Sequence, residues 1–236
     1  MIEALILSYL AGATIPAGGA LAAIEHIRPL WLEQELRHTI IAFGGGALMA
    51  AVALVLVPEG MKGLPGSISV ISFLAGGIGF FLLDRLIALK GGQAAQFMAM
   101  LLDFIPEAIA LGATFAIGGT FGPLLAFLIG LQNLPEGFNA FRELTVSAHI
   151  PRRRTMFIFL SLPFLGPLAA LVGIMIFSHH TALLAALMLF CAGGILYLTF
   201  QDIAPQAKLA KHWAPPLGAV AGFVLGMLAK VFTAAT

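Results

Sequence analysis

Eight stretches of this chain stay apolar for about twenty residues each, and that repetition restricts the fold more than any other feature. They fall at roughly 3–24, 37–57, 67–89, 94–117, 121–143, 156–177, 182–203 and 215–233. About 20 apolar residues are what one helix needs to cross the hydrocarbon core of a bilayer. Gly63, Pro65 and Gly66, the pairs Gly91–Gly92 and Gly118–Gly119, and Pro215–Pro216 punctuate the gaps between them, as chain reversals require. The runs are continuous and do not alternate with period two, which excludes a transmembrane β-barrel. Only 10% of residues are charged and 60% are hydrophobic, against roughly 25% charged in a soluble domain. The expected fold is therefore all-α and integral to a membrane, with eight transmembrane helices forming one domain over residues 1–236. The first ten residues lack the basic start of a cleaved signal and read as the beginning of a retained helix.

The cationic residues are distributed unevenly. Arg28, Arg37, Arg85, Lys90, Arg142, Arg152, Arg153, Arg154, Lys208 and Lys211 fall on one side of the expected bundle, and Lys62 and Lys230 on the other. The positive-inside rule then places both termini outside the cytoplasm, in a multi-pass protein of the cell membrane. Arg152–Arg154 reads as an anchor at the membrane surface. With a net charge of +1, no nucleic-acid partner is expected. A repeat is also visible. Phe43 precedes Pro58 by the same interval as Phe190 precedes Pro205, in Gly- and Ala-rich segments of the second and seventh spans. Those two spans cross in opposite directions, as inverted-topology repeats of transporters do.

The fourth and fifth spans carry acids in the middle of apolar sequence: Asp103-Phe104-Ile105-Pro106-Glu107 and Gln132-Asn133-Leu134-Pro135-Glu136. An acid at the centre of a spanning helix costs about 2.5–3.5 kcal/mol on insertion scales. No Lys or Arg lies within either core to neutralise these three. Asp103 and Glu107 share one helical face, as do Gln132 and Glu136, with Asn133 and Asn139 close to the second. Pro106 and Pro135 withdraw the helical partners of the Leu102 and Leu131 carbonyls, so both helices are expected to kink. A bound cation, or protonation, is what such a site calls for. The all-oxygen set Asp103, Glu107, Gln132, Glu136 and Asn133 suits Mn²⁺, Mg²⁺ and similar hard ions more than strict zinc chemistry. Met49, Asn139 and Asp202 are candidate pathway residues.

These residues resemble the motifs of the ZIP family of metal transporters, whose fourth span carries His-Asn-x-Pro-Glu-Gly and whose fifth carries a similar Pro-Glu motif. Val57-Pro58-Glu59, Phe80-Phe81-Leu82-Leu83-Asp84-Arg85 and Asp202-Ile203-Ala204-Pro205 are similar to further signatures of that family, and the likeness covers most of the chain. The resemblance implies a 3+2+3 helix arrangement with an inverted repeat, Glu107 and Glu136 as bridging ligands, and a Zn-, Fe- or Mn-type ion moved toward the cytoplasm by alternating access. The departures are Asp103 at the histidine position, Phe104 and Gly166 at positions that often hold ligands, Val55 where the second span often has histidine, and no His-rich loop between spans three and four.

The metal would be cargo, and no cofactor is expected. The lipid bilayer and the ion are the expected partners, and a homodimer is compatible with the sequence. Enzyme motifs of the zincin or Walker type are absent from the sequence. A proton-coupled carrier of another small cation, a Mg-dependent intramembrane lipid-phosphate enzyme and a non-transporting metal sensor are the competing readings. Phosphate chemistry would call for cations beside the acids. Met49 otherwise reads as packing, Cys191 as a small core residue, Asp84–Arg85 as an ion pair, His26 and His149 as interfacial, and His179–His180 as a polar turn.

Overall fold

The apolar runs leave little chain for loops, and most of the described residues are helical. The computed structural model describes residues 1–24, 30–89, 94–177, 179–208 and 213–234, with backbone only for 30–33. Arg28, His26, Gly91–Gly92, Lys90 and Lys211 lie outside the described residues. Eight helical rods follow in order: α1 (Ile2–Ile24); α2 (Leu30–Ala51, a π turn at Val52–Leu56, then Val57–Lys62); α3 (Gly66–Leu89); α4 (Ala95–Ala116); α5 (Gly122–Arg142 and a π turn at Glu143–Ser147); α6 (Arg152–Phe177); α7 (Thr181–Leu198, a π turn at Thr199–Ile203, then Ala204–Ala207); and α8 (Leu217–Ala234). No strand occurs among the described residues. Six of the rods, α1 to α4 with α6 and α7, are long and apolar enough to cross a membrane. The fifth rod is diluted by its own Gln, Asn and Glu residues, and α8 is short.

The rods pack in two groups, α1 with α4, α5 and α6, and α2 with α3, α7 and α8. Within each group the closest pairs are α1–α5 and α4–α6, and α2–α8 and α3–α7. The device is the same in all four. A glycine lies against a carbonyl of the facing helix so closely that a Cβ could not be added: Gly46 against Ala219 and Gly222 against Phe43 join α2 to α8, while Gly193 against Phe73 and Gly76 against Phe190 join α7 to α3. Gly46 and Gly193 are 147 positions apart, as are Phe43 and Phe190; Phe73 and Ala219 are 146 apart, as are Gly76 and Gly222. In the other group Gly18 meets Leu134 and Gly137 meets Ile15, while Gly173 meets Ile109 and Gly112 meets Ala170. These too repeat at fixed offsets, 155 between α1 and α6 and 25 between α4 and α5. The faint sequence repeat is thus a repeat of packing, carried by small residues that let backbones approach without a hydrophobic driving force.

The π turns of α2 and α7 obey the repeat as well. Both begin six residues before a proline, Val52 before Pro58 and Thr199 before Pro205. Proline lacks an N–H and its ring crowds the carbonyl four residues earlier, and a wider turn relieves that crowding. At Pro58 the freed carbonyl is that of Leu54, and Lys230 Nζ of α8 donates to it at 2.8 Å. α4 and α5 stay α-helical through Pro106 and Pro135, with no π turn at either proline.

Candidate metal centre

The buried polar groups separate into two kinds. Ser8, Ser69, Thr114, Thr155 and Thr199 each return a hydroxyl to a carbonyl of the preceding turn. Asp103, Glu107, Gln132 and Asn133 cannot do so, and all four belong to α4 and α5. Gln132 Nε2 donates to Glu107 Oε2 at 2.6 Å, and Asn133 Nδ2 donates to the Ala11 carbonyl of α1 at 3.0 Å. What remains is uniform in chemistry. Asp103 Oδ1, Glu107 Oε1, Gln132 Oε1, Asn133 Oδ1, both carboxylate oxygens of Glu136 and Asn139 Oδ1 are buried with no hydrogen-bond partner among the described residues. Every one is an acceptor, and an unmatched buried charge costs several kcal/mol.

Glu107 and Gln132 stand 25 positions apart, the same offset that relates α4 to α5 in packing. They are therefore equivalent residues of the repeat, and they are bonded to each other. A contact between equivalent residues lies across a two-fold axis, so the internal pseudo-axis passes through this pair. The sequence motif hides it: Pro106-Glu107 and Pro135-Glu136 align at an offset of 29, one helical turn away from the packing offset.

On one side of the pair lies a cavity of about 50 Å³, lined by Asp103, Glu136, Asn139, Asp202, Gln96 and Gln206 among apolar neighbours from α2 and α7. A buried water needs roughly 10–15 Å³ of such accessible space, so there is room for a small ion together with a few waters. No Lys, Arg or His lines it. The cavity sits where α4 and α5 of one helix group face α2 and α7 of the other. Gln96 Nε2 donates to Gln206 Oε1 at 2.5 Å across that boundary, and Glu143 of the α5 π turn accepts from the N–H groups of Gln96 and Phe97 at 3.2 Å each, capping the start of α4.

The sequence-derived site is therefore divided. Asp103 and Glu136 share the cavity with the pathway residues Asn139 and Asp202. Glu107 and Gln132 form the pair beside it, and Asn133 is tied to α1. Among the described residues, no three His, Cys, Asp or Glu side chains converge as a metal-binding group. Met49 lies apart from this cavity, lining a lateral groove between α2, α7 and α8. Asp84 accepts from Tyr197 Oη at 2.9 Å, and the expected Asp84–Arg85 ion pair is not formed among the described residues. His149, His179 and His180 are exposed in loops.

Two of the family departures have a steric reason. Gly166 lies against the Ser8 carbonyl of α1, so no side chain fits there. Phe104 is fully buried and points at Gly12 and Gly166, into the α1–α6 contact and away from the cavity. Gln96, Gln206 and Cys191 were not legible as site residues. Cys191 is buried on α7 within electrostatic reach of Glu107 and Asp103. Its counterpart in the repeat, Gly44, packs against Pro135, so position 191 faces α4 for the same reason. No model of a known protein family matches the chain, and no curated protein matches it either.

Proposed function

We propose that this chain is a transporter of a divalent metal ion, of the Zn-, Fe- or Mn-type, working by alternating access around the α4–α5 acids. One observation carries the reading: a set of buried, acceptor-only oxygens, drawn from three carboxylates and three amides, beside a small cavity lined by no cationic side chain among the described residues. A hard divalent ion satisfies such a set directly. The ion is cargo. Asp103 and Glu136 would receive it, Asn139 and Asp202 would line its path, and Glu107, on release from Gln132, would supply a further oxygen.

In this reading all eight rods cross the bilayer in a 3+2+3 order, with the halves inverted relative to each other and both termini on the non-cytoplasmic side of the cell membrane. The reciprocal glycine contacts support the inversion, and a site on the repeat axis is where such transporters bind their substrates. The cavity lies at the ends of α4, α5 and α7 that carry the loops richest in Lys and Arg. That is the cytoplasmic side by the positive-inside rule, and movement of the cargo toward the cytoplasm is what the likeness to the ZIP motifs implies. Resemblance to the ZIP motifs supports the same assignment.

The test is flux in proteoliposomes loaded with a metal-sensitive dye. Uptake of Mn²⁺ or Zn²⁺ by the natural chain, lost in Glu136→Gln at equal protein incorporation, is the expected result. Acidification of the lumen without metal entry would favour a proton carrier, and no flux at all would leave a sensor or an enzyme.

A further inference from the structure

A wide groove on the helix bundle has no part in the acid site. It is a groove of about 830 Å³ on the outer flank of α2, α7 and α8, within the size range of sites for small organic ligands. Its lining is apolar almost throughout. Of its two aliphatic polar residues, Thr199 has its hydroxyl committed to the Ile195 carbonyl, leaving Lys208 as the single charged group. Lys208 and Trp213, both exposed, mark one end of the groove.

The dimensions fit one kind of occupant. Along α8 the groove runs from Pro216 to Met227, which at 1.5 Å per residue is about 16 Å. Half of a 30 Å hydrocarbon core is about 15 Å. The groove is thus one leaflet deep. It begins at an exposed tryptophan, the residue type enriched where a membrane meets water, and at an ammonium group. A lysine at that level attracts anionic headgroups.

We propose that this groove is a binding site for an anionic phospholipid, with one acyl chain lying along α8 and the phosphate at Lys208. The repeat supplies an internal control. Residues 46, 49, 219, 220, 223 and 224 of this groove correspond to 193, 196, 73, 74, 77 and 78, which line a second, smaller hollow of about 440 Å³ between α3 and α7. That hollow carries no cation in its lining, so shape alone gives no preference for charge there. The lipid site also adjoins the acids. Ile203 lines both the groove and the carboxylate cavity, so a chain in the groove backs the cavity wall. The proposal stands whether or not the cargo is a metal.

The experiment uses the full chain with Trp31→Phe, which leaves Trp213 as the reporter of the two tryptophans. It is reconstituted in phosphatidylcholine vesicles containing a fixed fraction of brominated lipid, either phosphatidylglycerol or phosphatidylcholine. Brominated phosphatidylglycerol should quench Trp213 with about fivefold higher apparent affinity, the factor that a lysine near the surface supplies. Lys208→Gln, in an exposed segment after α7, should remove the preference. Val224→Phe, which narrows the groove, should reduce quenching by both lipids. Equal quenching by the two lipids, or a preference that survives Lys208→Gln, overturns the proposal. So does protection of Trp213 from both lipids, which would place a second copy of the chain in the groove.

Discussion

The two sides of the Glu107–Gln132 pair are equivalent in backbone packing and opposite in chemistry. Toward the Lys208 end, Asp103, Glu136, Asn139 and Asp202 surround a cavity. At the offsets that relate the helices, their counterparts are Leu128, Leu111, Thr114 and Val55. Leu111, Leu128 and Val55 are buried in the apolar core, and Thr114 turns its hydroxyl back to its own helix. One scaffold, repeated, holds a polar vestibule on one side of its axis and a dry plug on the other. The difference teaches that the repeat fixes where helices touch, while side-chain polarity decides which side of the axis is polar and hollow. On one side close-packed leucines fill the axis, whereas on the other the Gln96–Gln206 bond spans the two helix groups beside the cavity.

The comparison breaks most sharply if the polar side can be silenced. Glu136→Gln and Asp103→Asn should each reduce metal uptake to background in proteoliposomes, while Asp84→Asn, an acid outside the cavity, should leave uptake within about twofold, its hydrogen bond to Tyr197 contributing only about 1 kcal/mol. Next in size is the pair on the axis. Gln132→Leu removes the donor that holds Glu107, and should weaken metal binding by about 10–100-fold, the usual consequence of losing a group that orients a ligand. Isothermal titration on the purified protein measures it. A third experiment reads the asymmetry directly. Asn139→Cys should react with a membrane-impermeant thiol reagent added on the Lys208 side, and Thr114→Cys, its counterpart, should stay unreactive from both sides; equal labelling would abolish the distinction drawn above. The smallest effects concern the shared scaffold. Gly46→Ala and Gly193→Ala meet equivalent carbonyls and should lose stability by similar amounts, about 1–3 kcal/mol for overpacking. Gly77→Ala, whose new methyl would find ordinary contact distances, should change thermal stability in detergent by less than about 0.5 kcal/mol.

Much of this was legible in the residue order, for identifiable reasons. The all-helical, membrane-like character follows from apolar run length, because the bilayer sets a minimum that soluble sequence rarely reaches, and six of the helices meet it. Asp103, Glu107 and Glu136 stand out because an acid in an apolar run has no bland explanation. What resists reading is lateral. A glycine such as Gly46 signals close approach without naming the partner, and Gly44 and Gly45 beside it look the same in sequence while meeting Pro135 and Ile203. The Gln96–Gln206 bond joins helix ends 110 residues apart, and neither residue interrupts an apolar run. Which oxygens share a cavity was equally hidden. Glu107 and Glu136 match in motif, yet the packing equivalent of Glu107 is Gln132. Only the glycine contacts reveal the one-turn shift that places one acid on the axis and the other in the vestibule. The π turns were hidden too: α2 and α7 widen before Pro58 and Pro205, while α4 and α5 stay α-helical through Pro106 and Pro135.

The most direct test of the acid site is crystallographic. Crystals soaked in Mn²⁺ and measured at the manganese absorption edge should show an anomalous peak within coordination distance of Asp103 and Glu136 oxygens, and Glu136→Gln crystals treated the same way should show none. A cavity that stays free of metal at saturating Mn²⁺ and Zn²⁺, or a peak confined to surface carboxylates, would contradict the account.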